Sequence, residues 1–105
     1  MAGKTFDVVG IGLSCVDLVM KVSKFPDVDE VVVTLEYEKH FGGVAANAIV
    51  ALARLGAKVG FIGKIGADIF GDDIVKEFEK VGVDTSKIIR DKNFGSPLSF
   101  IQVDH

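Results

Sequence analysis

Apolar residues fall into short runs whose period changes along the chain. Phe6 to Ile11 is a β-branched run closed by glycines, the pattern of a buried strand in a mostly parallel sheet. A turn is expected over Gly12 to Asp17. Leu18 to Val22 alternates, Phe25-Pro26-Asp27 breaks the pattern, and Val31 to Tyr37 alternates again with Val31, Val33, Leu35 and Tyr37 on one face. That predicts two half-buried strands around a polar turn. Val44 to Leu55 is apolar nearly all round and rich in alanine, with Gly56 placed as a C-terminal cap, and so predicts a buried helix. Its polar side chains, Asn47 and Arg54, are seven apart and share a face.

Another buried strand is expected from Lys58 to Ile62. Asp68 then occupies an N-cap position ahead of Phe70, Ile74, Phe78 and Val81 at helical spacing, and Gly82 closes that helix. Ser86 to Arg90 predicts a short strand, Lys92 to Ser96 a turn, and Leu98 to Val103 a last strand. The order β, ββ, α, β, α, β, β describes alternating α/β units with a two-stranded insertion. Parallel-type strands need neighbours and covering helices, of which this sequence supplies few, so the chain is expected to belong to something larger.

Composition narrows the function. The chain has 105 residues, nearly half of them apolar, which suits one soluble globular domain. Net charge is −3, the sequence pI is about 5.2, and the basic residues are scattered, which argues against nucleic acid as a partner. No apolar run reaches the length of a membrane span, the single cysteine cannot form an internal disulfide, and the start lacks a secretory pattern. A cytoplasmic protein without a membrane partner is expected.

Several residues carry candidate chemistry. Gly10-Ile11-Gly12 follows the first strand, but Cys15 stands at the third glycine position of a dinucleotide fingerprint and a two-stranded segment follows in place of a helix. A tight turn explains those glycines better; a nucleotide-binding regulatory domain is the weakest of three functional readings. Cys15 is expected to be a small apolar filler, because His40 and His105 are both remote in sequence. Asp17 follows the carboxyl end of the first strand, where open α/β sheets bind ligands. It is either a turn residue or an acceptor of two diol hydrogen bonds. Gly42-Gly43 opens the first helix with Asn47 on its first turn, either a plain turn or a place where a ligand reaches backbone N–H groups beside an amide. Gly66 to Gly71 reads as a helix start capped by Asp68, with Asp72 and Asp73 as solvated first-turn carboxylates.

Taken together, these pieces resemble the ribokinase-like (PfkB-type) carbohydrate kinases. The segment FGGVAANAIVALARLGAKVGFIGKIGADIFG, Phe41 to Gly71, is similar to the family's first signature region, and GIGLSCVDLV and VGVDTSKI stand where the family has equivalents. The resemblance implies an α/β, ribokinase-like fold: a partial central mostly parallel sheet flanked by helices, with residues 18–40 as a small β lid that also serves in a homodimer. It implies that Asp17, Gly42, Gly43 and Asn47, with Cys15 beside them, face the substrate, a sugar or nucleoside whose hydroxyl is phosphorylated with ATP and Mg2+. Cys15 and Val44 stand where ribokinase itself has asparagine and lysine, which points away from ribose.

The family's second signature, Asp-Thr-x-Gly-Ala-Gly-Asp, has no counterpart here; Asp84-Thr85-Ser86-Lys87 begins like it but lacks the glycines. Residues 1–105 are therefore expected to be the N-terminal part of one such domain, with the ATP-binding part elsewhere and no activity alone. A non-catalytic sugar-binding or dimerisation module is the alternative.

Overall fold

The structure is a computed structural model and describes residues 5–104, so His105 lies outside the described residues. The elements run β1 (Val8–Ile11), β2 (Cys15–Lys21), β3 (Glu36–Gly42), α1 (Val44–Arg54), β4 (Val59–Gly66), α2 (Ile69–Lys80), β5 (Ile88–Asp91) and β6 (Leu98–Val103), in the expected order. They form two three-stranded sheets. One is parallel in the order β1-β4-β5; in the other, β2 is central, antiparallel to β3 and parallel to β6.

Both helices end as the sequence dictates. Gly56 and Gly82 have φ of +94° and +88°, and in each case the next residue's N–H bonds back to a carbonyl of the last turn, Ala57 to Leu52 and Val83 to Phe78. The α2 start is held by Asp68, whose carboxylate accepts from the Gly71 N–H at 2.8 Å and from the Ser96 hydroxyl at 2.7 Å. The core lies where α1 and α2 cover β4: Phe61 and Ile65 from the strand meet Ile49, Ile74 and Phe78, and the Phe61 and Phe78 rings stack at 4.8 Å.

Several expectations need correction. Asp17 is not in a turn. β2 begins at Cys15, because residues 15–21 pair along their whole length with both β3 and β6. Val31 to Tyr37 is not a strand; pairing with β2 selects the polar segment Glu36–Gly42, and Val31 and Val33 are 89% and 75% exposed. β1 is an edge strand with Ile11 exposed, since β4 takes the sheet centre, and α1 buries only Ala46 and Ile49. β4 runs four residues past Ile62 because β5 pairs with its second half. Asp72 is an exposed first-turn carboxylate as expected, and it and Asp73 are in addition ion-paired, with Arg90 at 2.6 Å and Lys39 at 2.7 Å.

The Gly10-Ile11-Gly12 glycines also find their reason here. A Cβ at Gly10 would lie 2.4 Å from Ile49 and one at Gly12 2.8 Å from Ala45, so their bareness lets α1 press against β1. No nucleotide is needed to explain them.

Candidate functional site

β2 and β3 bring three of the five sequence-predicted residues into one cluster. Cys15 is the register partner of Gly42, and Asp17, two residues on, projects from the same face of the sheet. A Cβ at Gly42 would approach Asp17 Oδ2 to 2.9 Å and Cys15 Sγ to 3.3 Å, so the glycine makes room for both side chains. Asp17 Oδ1 accepts from Cys15 Sγ at 3.6 Å and closely from the Ser99 hydroxyl of β6. Burial, followed by the negative charge of Asp17, pushes the Cys15 thiol up from its ordinary value, so it stays protonated and donates. The arrangement orients a carboxylate by its Oδ1 side, the preorganisation a hydroxyl-binding acceptor needs.

Gly43 is the hinge into α1. Its φ of +109° and ψ of +131° suit glycine, and a Cβ there would stand 2.1 Å from the Leu13 carbonyl oxygen. No side chain caps α1 and no acidic residue lies in its first turn, in contrast to the Asp68-capped α2. The open helix start, with its partial positive charge, favours an oxygen ligand.

Beside this cluster is a cavity of about 230 Å3 between α1, α2 and the start of β2. Cys15, Gly42 and Asn47 line it; Asp17 and Gly43 do not, and border it through their neighbours. Sequence reasoning missed four further wall residues: Ser14, His40, Arg54 and Glu77. Arg54 shares the helix face of Asn47, a signal that was present in the spacing. Ser14, 4% exposed, keeps its hydroxyl without a hydrogen-bond partner among the described residues. Ser99 was missed as well, because only the pairing of β2 with β6 brings it to Asp17.

Residues 5–105 match the pfkB family of carbohydrate kinases. The chain belongs to that family. It is 41% identical over 90 residues to a 5-dehydro-2-deoxygluconokinase of Bacillus subtilis, covering 86% of this chain and 26% of the relative. It is 48% identical over 68 residues to the protein of that name from Clostridium perfringens, covering 64% of this chain and 20% of the relative. The chain thus spans about a quarter or less of the curated relatives it matches. Among solved structures, Arabidopsis thaliana ribokinase complexed with ribose and ATP superposes with a TM-score of 0.91 over 96% of this chain and 33% of that one; at 19% identity it shows the ribokinase fold alone. Cryptococcus neoformans ribokinase in complex with ADP gives a TM-score of 0.81 at 27% identity, covering 91% of this chain and 30% of that one.

Ribokinase-fold neighbours are complexed with ATP or ADP, and the start of α2 does not fit a phosphate group. Among the described residues no group of three or more His, Cys, Asp or Glu could hold a metal. The α2 start is already filled by the Asp68 carboxylate, held below the ordinary aspartate value first by the Ser96 hydroxyl bond and then by the Ser96 and Gly71 N–H bonds. A phosphate there would meet a like charge. No helix of the described residues is long and apolar enough to cross a membrane.

Proposed function

We propose that this chain supplies the acceptor-binding side of an ATP-dependent carbohydrate kinase, which phosphorylates a hydroxyl of a sugar or nucleoside. The observation that carries the reading is the Asp17 carboxylate, fixed through Oδ1 by Ser99 and Cys15 while Oδ2 faces Gly42 beside the uncapped start of α1. Asp17, with Cys15, Gly42, Gly43 and Asn47 around it, positions the acceptor hydroxyls. ATP and Mg2+ are held by family residues outside the stretch matched here, so residues 1–105 alone transfer no phosphoryl group. In such a division the acceptor side contributes positioning, which is most of what phosphoryl transfer asks of a protein besides charge stabilisation.

The relatives' name, 5-dehydro-2-deoxygluconokinase, denotes a sugar acid as acceptor, and that class is favoured over ribose. Residues 18–40, which contribute parts of β2 and β3, serve as a lid over the acceptor. Val31, Val33, Leu35 and Tyr37, all largely exposed, supply its contact with a second copy in a homodimer. The test is a panel of sugars, sugar acids and nucleosides offered with Mg-ATP to the full-length protein, with ADP release and product mass recorded. Transfer to a carbohydrate supports the reading. Binding without turnover would favour a sugar-binding module, and no response to any carbohydrate would reject the proposal.

A further inference from the structure

The cavity beside Asp17 is lined by three polar side chains without hydrogen-bond partners among the described residues. Ser14 Oγ is buried and unpaired among the described residues; Asn47 and Arg54 are exposed and make no side-chain hydrogen bond or ion pair among them. Ala46, Val50, Ile74 and Phe78 add apolar surface to the lining. His40 is engaged with Glu38 at 2.9 Å, and Glu77 meets Lys80 only at 4.0 Å, which leaves its carboxylate as an acceptor across the cavity.

The chemistry of these groups specifies a ligand with two different ends. Ser14 and Asn47 can each donate and accept, which suits hydroxyls, and Glu77 suits hydroxyls as well. Arg54 can only donate, through a planar fork that matches a carboxylate. Asn47 and Arg54 are separated by about 10 Å of helix rise, and both line the cavity. A hydroxylated chain of several carbons with an acid at one end spans that interval.

We infer that Arg54 is the specificity-determining residue for a sugar-acid acceptor, binding its carboxylate while Ser14, Asn47 and the Asp17 cluster hold its hydroxyls. The inference rests on the carbohydrate-kinase reading and adds a residue and a charge requirement to it. Arg54 also lies in the last turn of α1, where the helix dipole favours a cation, so the test must separate substrate recognition from helix stability.

The experiment compares wild-type full-length protein with Arg54→Met and Arg54→Lys, using 5-dehydro-2-deoxygluconate and gluconate as acids, glucitol and fructose as neutral counterparts, and gluconate 6-phosphate and fructose 6-phosphate as phosphorylated probes. KM and kcat are measured for each acceptor and Kd by calorimetry, with thermal melting as the fold control. Arg54→Met is expected to raise KM and Kd for the acids roughly ten- to hundredfold more than for the neutral sugars, with kcat little changed, as loss of a charge-assisted contact requires. Arg54→Lys should recover part of that loss. Equal effects on acids and neutral sugars, no effect on either, or an effect confined to the phosphorylated probes would overturn the inference. Wild-type turnover of neutral sugars with Arg54 indifferent would do so while leaving the kinase reading intact. Absence of turnover with every probe would reject the kinase reading, and the calorimetric comparison would still decide the role of Arg54.

Discussion

Substituting Gly43 by alanine combines two penalties that a second glycine separates. At Gly43 the backbone has φ +109° and ψ +131°, a conformation that disfavours any side chain by about 1–3 kcal/mol. The added Cβ would also stand 2.1 Å from the Leu13 oxygen and 2.9 Å from its carbon, where ordinary contact begins at 3.4 Å, so the entry to β2 must shift. Such overpacking adds roughly 1–3 kcal/mol. Gly56 has a comparable φ of +94° but nothing within 4 Å of its Cβ, so Gly56→Ala carries strain alone, about 1–2 kcal/mol. The assay is urea unfolding of the full-length variants together with calorimetric affinity for the acceptor. Gly43→Ala should be destabilised about 2 kcal/mol more than Gly56→Ala and should also lose affinity, since the displaced segment Leu13 to Cys15 borders the cavity. Equal destabilisation of the two variants, with acceptor binding intact in Gly43→Ala, would refute the argument.

Asp68→Asn should lower stability at neutral pH and flatten the acid limb of the stability profile, as read from denaturant midpoints against pH. The sign follows from its depressed value in the fold: the contribution is fully present above the ordinary aspartate value of about 3.9 and is lost as pH falls through the lower folded value. An unchanged profile would remove Asp68 as the clasp between α2 and Ser96. Val33→Glu should shift full-length protein toward monomer in sedimentation or loosen acceptor binding, because Val33 is 75% exposed within an apolar stretch that needs cover. Unchanged size together with unchanged affinity would count against the lid contact.

Elements built from local signals were legible. The alanine-rich run of α1, the Asp68 cap and the glycines after each helix act within one or two turns of chain, and their bounds followed closely. Strands β2 and β3 were not legible in the same way. Val31 to Tyr37 alternates better than Glu36 to Gly42, yet the latter forms the strand, because pairing with β2 brings Gly42 opposite Cys15 and lets Asp17 fit beside it. Hydrophobic alternation reports burial, and this outlying sheet buries little. The same non-local logic hid Ser99, 82 residues from Asp17, and Ser14, whose significance is a missing partner that no sequence pattern displays. Gly42, Gly43 and Asn47 stood out because a glycine pair opening a helix has its own residue preferences, whereas Asp17, expected in a turn, stands within β2.

The account turns on Asp17 as the acceptor-binding carboxylate, and Asp17→Asn tests it most directly by keeping the shape and removing the charge. Affinity of the full-length protein for its acceptor should fall by roughly 1–3 kcal/mol, the worth of a hydrogen bond to a charged group, while thermal stability stays close to wild type. Calorimetric titration of wild type and variant with the same acceptor measures this in one comparison. Equal affinity in the two proteins would contradict the assignment of Asp17 and, with it, the placement of the acceptor site on β2.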